Sequence, residues 1–194
     1  MNSIRRASVE GLALLLAFWC NSAVSQVSPG PTSSGKVYSN ARLAFRYTPP
    51  NGMRDKTGRF APLQIQNQAG TPQTLATLLA MSSGPDSSVP DWHSITIVTY
   101  PRNAVSEPDD AKAAGQMNAW VAHSKDPSAL PKSATISGQV FTVSVFGLQE
   151  GTVRKGAVVF TTVRKGKLLS FAFAANSPEQ LKALTETMKT VQFY

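Results

Sequence analysis

The sequence predicts an α+β domain, an antiparallel sheet sandwiched by helices. Three observations carry that expectation. The second half holds three apolar, strand-length runs, Val140–Phe146, Ala157–Val163 and Leu168–Ala174, separated by glycine-containing turns. Such runs pair most simply as a meander. Apolar residues fall on both faces of the last two runs, and a sheet with two apolar faces needs a layer on each side. Two further stretches carry helix-start chemistry followed by helical periodicity, which supplies two candidate layers.

The elements follow in order. Val37-Tyr38 and Leu43–Tyr47 read as short strands joined by a turn at Ser39-Asn40-Ala41, and Pro49-Pro50-Asn51-Gly52 ends the second. Residues 53–70 are polar and carry no clear period. Thr74–Met81 is short, apolar and flanked by Gly/Pro-containing loops, which favours a strand over a helix. Ser94–Tyr100 alternates, with Ile95 and Ile97 on one face, and Pro101 stops it. A helix is expected from Pro108 to Ser124. Ser106 is its candidate cap, and Asp109 and Asp110 in its first turn suit the helix dipole. Ala114, Met117 and Val121 form the buried stripe, with Ala113 and Trp120 beside it. Gly115 weakens this helix by about 1 kcal/mol relative to alanine. The final helix has Ser177 as cap, Pro178 as first residue and Gln180 closing a capping box. Leu181, Leu184 and Met188 face inward, with Val191 after them.

The address is written at the N-terminus. Arg5 and Arg6 precede the apolar run Leu12–Trp19, and Ala23-Val24-Ser25 places small residues before a cut at Gln26. This is a secretory signal pattern. The run is too short to span a bilayer, which takes about 20 residues. The expected organisation is a signal peptide at 1–25, a Ser/Pro/Gly-rich leader at 26–36 and one α+β domain at 37–194, exported to the periplasm or beyond. Cys20 stands where a lipoprotein would be acylated, but the bulky Trp19 precedes it where a small residue is required. Cleavage after Ser25 removes this one cysteine. Disulfides, thiol nucleophiles and cysteine metal sites then leave the mature chain together.

The chain carries a formal charge of +8. A basic exported protein is drawn to anionic surfaces. Thr152–Gly156 (TVRKG) recurs as Thr162–Gly166, and Lys167 extends the second copy. Arg154, Lys155, Arg164, Lys165 and Lys167 are therefore the candidate anion-binding residues. If the copies sit at the two ends of one strand, ten residues at about 3.3 Å each hold them about 30 Å apart. One phosphate cannot bridge that distance, though a long polymer can. The plain alternative is two solvated hairpin turns. Arg42, Arg46, Arg54 and Arg59 form a second candidate anion-binding rim. Tyr38, Phe45 and Tyr47 lie near them, as a nucleic-acid surface would require. The exported address argues against that partner, and the strand alternation places Phe45 in the core.

Catalytic and metal patterns are sparse. The sequence contains two histidines, His93 and His123. His93 sits at the start of a strand. His123 lies in the last turn of the middle helix, where the dipole favours its cation. No Gly-x-Ser-x-Gly elbow, phosphate-cradling glycine loop or dinucleotide fingerprint occurs. No His-Glu-x-x-His or calcium-loop spacing occurs either, so no cofactor and no metal are expected. Asp55, Asp86, Asp91, Glu107 and Glu150 are the dispersed carboxylates from which a hydrolase would have to be assembled, with or without His93.

Tyr38–Pro50 (YSNARLAFRYTPP) is similar to the opening of PsbP-like domains, where a short strand leads into a Gly-Phe-x-Phe/Tyr-x-x-Pro segment. Ala44 stands where glycine is common, and Met53 follows Gly52 where a tryptophan often follows. Gly166–Phe171, the Ser177-Pro178-Glu179 helix start and Val191-Gln192-Phe193 resemble that family's ending. The resemblance spans residues 37–194. It implies an α/β/α sandwich around an antiparallel sheet. It also implies a role in binding or assembly, the theme shared by a photosystem II extrinsic subunit, exported bacterial proteins and a Ran-binding nuclear protein. The family has no catalytic motif to carry over. The functional expectation is an exported, non-enzymatic binding or assembly module. Its alternatives are a binder of anionic envelope polymer or lipid, and a small hydrolase.

Overall fold

The computed structural model describes residues 36–66, 70–85, 87–124, 126–150 and 153–194. The expected signal peptide, Cys20 and nearly all of the leader lie outside the described residues, as does Asp86. The elements are β1 (Tyr38–Asn40), β2 (Phe45–Tyr47), β3 (Arg54–Asp55), β4 (Leu63–Gln66), β5 (Pro72–Ser82), β6 (His93–Pro101), α1 (Asp110–Ala122), β7 (Lys132–Ile136), β8 (Gln139–Glu150), β9 (Val153–Arg164), β10 (Lys167–Ala175), α2 (Pro178–Glu186) and β11 (Gln192–Phe193). The main sheet runs β3-β5-β6-β10-β9-β8-β7, with β4 also pairing with β5, and a small sheet runs β1-β2-β11. Their pairings are antiparallel. The fold is thus α+β, and the β8-β9-β10 meander is as expected. The polar stretch after Gly52 contributes β3 and β4. The strand β7, for which the sequence shows no strong period, closes the far edge.

Each apolar face has its own cover. On one face, Ile95, Ile97, Leu169, Phe171 and Phe173 pack with Leu184 and Met188 of the C-terminal helical segment and with Phe45 and Tyr47 of the small sheet. Phe171 is fully buried there. Its ring meets Phe45, Tyr47 and Phe141 at centroid distances of 5.5, 5.9 and 6.1 Å in edge-to-face geometry. Such pairs add about 0.5–1.5 kcal/mol each beyond area burial. On the other face, Val98, Tyr100 and Leu168 pack against Ala113, Ala114 and Met117 of α1. Ala157 and Val159 continue that layer under Ala122. The two helices therefore cover opposite sides of the sheet.

A bulge reconciles Thr74–Met81 with both covers. Thr77 pairs with Val98, but Leu79 pairs with Ile97, so Leu78 is an extra residue. An inserted residue reverses the in/out alternation beyond it. Leu75 accordingly joins the α1 side, while Leu79 and Met81 join the side of α2.

Both helix starts differ in detail from the sequence reading. The cap of α1 is Asp109, whose Oδ1 accepts from the Lys112 N–H at 2.8 Å, and not Ser106. The reason lies upstream. Arg102 donates to the carbonyls of Val105, Glu107 and Pro108, which holds that segment as a loop, and its Nε meets Asp110 Oδ1 at 2.6 Å. The buried stripe of α1 is Ala113, Ala114, Met117, Asn118 and Ala122, and Val121 lies at its margin. In α2, Ser177 accepts from the Gln180 N–H at 3.2 Å, as expected. The reciprocal half of the capping box is not made: Gln180 Oε1 has no partner, and its Nε2 turns to Asp91 Oδ1 at 3.5 Å.

Candidate anion-binding site

The two basic clusters do lie at the two ends of one strand, β9, yet they differ in kind. Val153–Gly156 is strand and not a hairpin turn. Arg154 pairs with Gln149 in the backbone register, and its side chain lies outside the described residues. Lys155 is buried, 8% exposed, with its ammonium 5.3 Å from the centre of the Trp92 ring. Gly156 allows close approach, because a Cβ there would stand 2.7 Å from Leu181 Cδ2 of α2. The second copy ends in a tight hairpin. Lys165 and Gly166 both have positive φ, 49° and 70°, where glycine is unstrained and lysine is not.

Arg164 works inside the fold. Its Nε donates to Leu43 O at 3.1 Å, and its Nη2 donates to Ala44 O at 3.3 Å and Tyr194 O at 3.0 Å. The guanidinium also lies 5.0 Å from the centre of the Phe193 ring. It clamps the β9–β10 hairpin onto the β1–β2 turn and the end of the small sheet. Ala44, the residue standing where PsbP-like chains commonly have glycine, has φ 50° in that turn. Left-handed backbone at an L-residue costs about 1–2 kcal/mol, and the clamp holds the turn in place.

This clamp draws together cations from two separate sequence sets. Lys165 is exposed and follows Arg164 directly, and Lys167 pairs with Arg164 across the hairpin. Arg42 is exposed in the clamped turn. Arg46 lies on the solvent side of β2 between Ser39 and Gln192, with its guanidinium 6.0 Å from the Tyr194 ring centre. No ion pair among the described residues engages Arg42, Arg46, Lys165 or Lys167. These four groups can neutralise an anion without first giving up an ion-pair partner. Arg54 and Arg59 do not join them. Arg54 pairs with Ser82, whose neighbour Ser94 pairs with Ala174 at the far end of β10.

The candidate acids are spread over the fold, and His93 lies beside Asp91. Asp55 Oδ1 accepts from the Thr57 N–H, Asp91 lies beside the start of β6, and Glu107 lies before α1. Glu150 contributes only its backbone pairing to the described structure. His93 Nδ1 contacts Asp91 O at 3.0 Å. No group of three or more His, Cys, Asp or Glu side chains among the described residues could hold a metal ion. His123 is the left-handed C-cap of α1, and burial pushes its pKa below 6.5. Burial thus acts against the cation that a position at the end of a helix favours. Burial likewise pushes the Tyr47 phenol upward, against a hydrogen bond with Thr187 Oγ1 at 2.7 Å.

Among the described residues, no helix is long and apolar enough to cross a membrane. No protein-family model matches the chain. No curated protein matches it in sequence. Among solved structures, the chain is similar to cyanobacterial PsbP (CyanoP) from a Synechocystis species, at 14% identity and a TM-score of 0.49, covering 90% of this chain and 99% of that one. It is similar to LpqN, involved in cell envelope biogenesis of Mycobacterium tuberculosis, at 10% identity and a TM-score of 0.43, covering 87% of each chain. A protein from Bacteroides thetaiotaomicron is similar at 11% identity and a TM-score of 0.43, over 84% of this chain and 49% of that one. At these identities the likeness concerns fold alone.

Proposed function

We propose that this protein is an exported, non-enzymatic binding module whose partner is an anionic envelope component, contacted through Arg42, Arg46, Lys165 and Lys167. One observation carries the reading: the Arg164 clamp brings these cations to one end of the sandwich, where no Asp or Glu among the described residues pairs with them. Export rests on the Arg5–Ser25 pattern. Arginine suits bidentate contact with phosphate or carboxylate, while lysine supplies a mobile point charge. Several weak contacts then sum along an extended anion, and salt screens them with a length of about 10 Å at 0.1 M.

The test is co-sedimentation of the mature chain with phosphatidylglycerol vesicles and, separately, with alginate, across a salt series. Phosphatidylcholine vesicles serve as the neutral control. Binding to an anionic probe that weakens steeply with salt is expected, together with loss on Arg46→Glu combined with Lys165→Glu. Lys132→Glu together with Lys182→Glu makes the same charge change on β7 and α2 and is expected to leave most of the binding. No binding to either anionic probe at low salt, or equal losses from the two double variants, would reject the reading.

A further inference from the structure

Beneath α1, the apolar layer is interrupted by a buried polar patch. Asn118 is 0% exposed, and its Nδ2 donates to Thr142 O at 3.1 Å and to Ser144 Oγ at 2.9 Å. Asn118 Oδ1 has no partner in the protein. Exchanging the two ends of the amide does not relieve this, because it would set oxygen against the Thr142 carbonyl oxygen. Ser144, 2% exposed, accepts from Asn118 and still has a hydroxyl proton to place. Nearby, Thr161 Oγ1 and Ser170 Oγ, on fully buried residues, lie 2.6 Å apart. One proton serves that bond, and the other is surplus.

Register puts these groups on one face. Thr142 pairs with Thr161, Thr161 pairs with Ser170, and Ser144 is two residues along β8 from Thr142. Diagonal neighbours on a sheet face stand about 7–8 Å apart at the backbone, within reach of a bridge through one solvent molecule between side-chain oxygens. An orphaned acceptor therefore shares a sealed layer with surplus hydroxyl donors. Leaving such an acceptor dry costs about 1–3 kcal/mol. Buried waters occupy sites of this kind, making about three hydrogen bonds each.

We propose that the sandwich binds one internal water molecule between α1 and the main sheet, donating to Asn118 Oδ1 and accepting from Ser144 Oγ and from the surplus hydroxyl of the Thr161–Ser170 pair. The site makes Asn118 the polar pin of an otherwise apolar helix seat.

Crystal structures of the full chain and of two variants test the site. In the wild type, one ordered solvent peak within hydrogen-bond distance of Asn118 Oδ1 is expected in every molecule of the lattice. In Asn118→Leu, a near-isosteric apolar replacement, that peak is expected to vanish. If Asn118→Leu does not fold, Ser144→Ala decides: loss or displacement of the peak is expected, because one of its donors is gone. A wild-type Oδ1 that meets only carbon or a direct protein donor overturns the proposal. So does a peak unchanged in position and occupancy in either variant.

Discussion

Arg164→Ala separates a fold-holding cation from a ligand-holding one. Truncation removes one donor each from Leu43 O, Ala44 O and Tyr194 O, of which Ala44 O keeps the Tyr194 N–H, and takes the guanidinium from the Phe193 ring. Hydrogen bonds with one charged partner contribute about 1.5–3 kcal/mol each when partly buried. The bonds to Leu43 and Ala44 are of that kind, at the lower end because Arg164 is itself half-exposed. The bond to Tyr194 is solvent-exposed and adds little. The cation–π contact adds about 0.5–1 kcal/mol. A loss of about 3–4 kcal/mol is expected, a large part of the roughly 5–15 kcal/mol of a typical domain. Urea unfolding followed by intrinsic fluorescence would show a lower midpoint with an unchanged slope. Arg164→Lys recovers less than half, since one ammonium cannot span three carbonyls. Lys165→Ala, next in the chain, changes stability by less than about 0.5 kcal/mol. A loss under about 1 kcal/mol for Arg164→Ala, or equal effects at 164 and 165, would refute the clamp.

Other expectations follow from the same packing. Gly156→Ala puts a Cβ 2.7 Å from Leu181 Cδ2 and is expected to cost about 1 kcal/mol, at the low end for overpacking because the tip of the half-buried Leu181 can turn aside. Gly147→Ala, its register partner with open space above it, is expected to be neutral or to stabilise by up to about 1 kcal/mol. Thermal melts of the two variants check the contrast. Asp109→Ala removes the α1 cap and costs about 1 kcal/mol in denaturant midpoints, whereas Ser106→Ala costs nothing measurable. His123 is held neutral by burial, so its folded pKa lies below its unfolded value of 6.5. Its contribution is therefore complete above pH 6.5 and is lost as pH falls toward the depressed folded value. His123→Asn, which tolerates the left-handed cap, should flatten the stability-versus-pH profile just below 6.5. An unchanged slope in that window would contradict it.

The sequence determined by itself whatever is written in local period. Alternation in Ser94–Tyr100 assigns Ile95 and Ile97 to one face and Val98 and Tyr100 to the other, and the structure keeps that division. The two-faced runs at 157–163 and 168–174 require two covers, and the Ser177-Pro178 start marks one of them. Only the tertiary structure decided matters that depend on a partner far along the chain. The bulge at Leu78 lets β5 serve both cores while it pairs with β6. Asp109 displaces Ser106 as cap because Arg102 first takes the intervening carbonyls. The identical TVRKG copies diverge because Gly156 lies under Leu181 while Gly166 turns a hairpin. Arg164 becomes a clamp through contacts with residues about 120 positions earlier. Periodicity states which way a side chain faces. What it meets there is set by the other elements that fold against it.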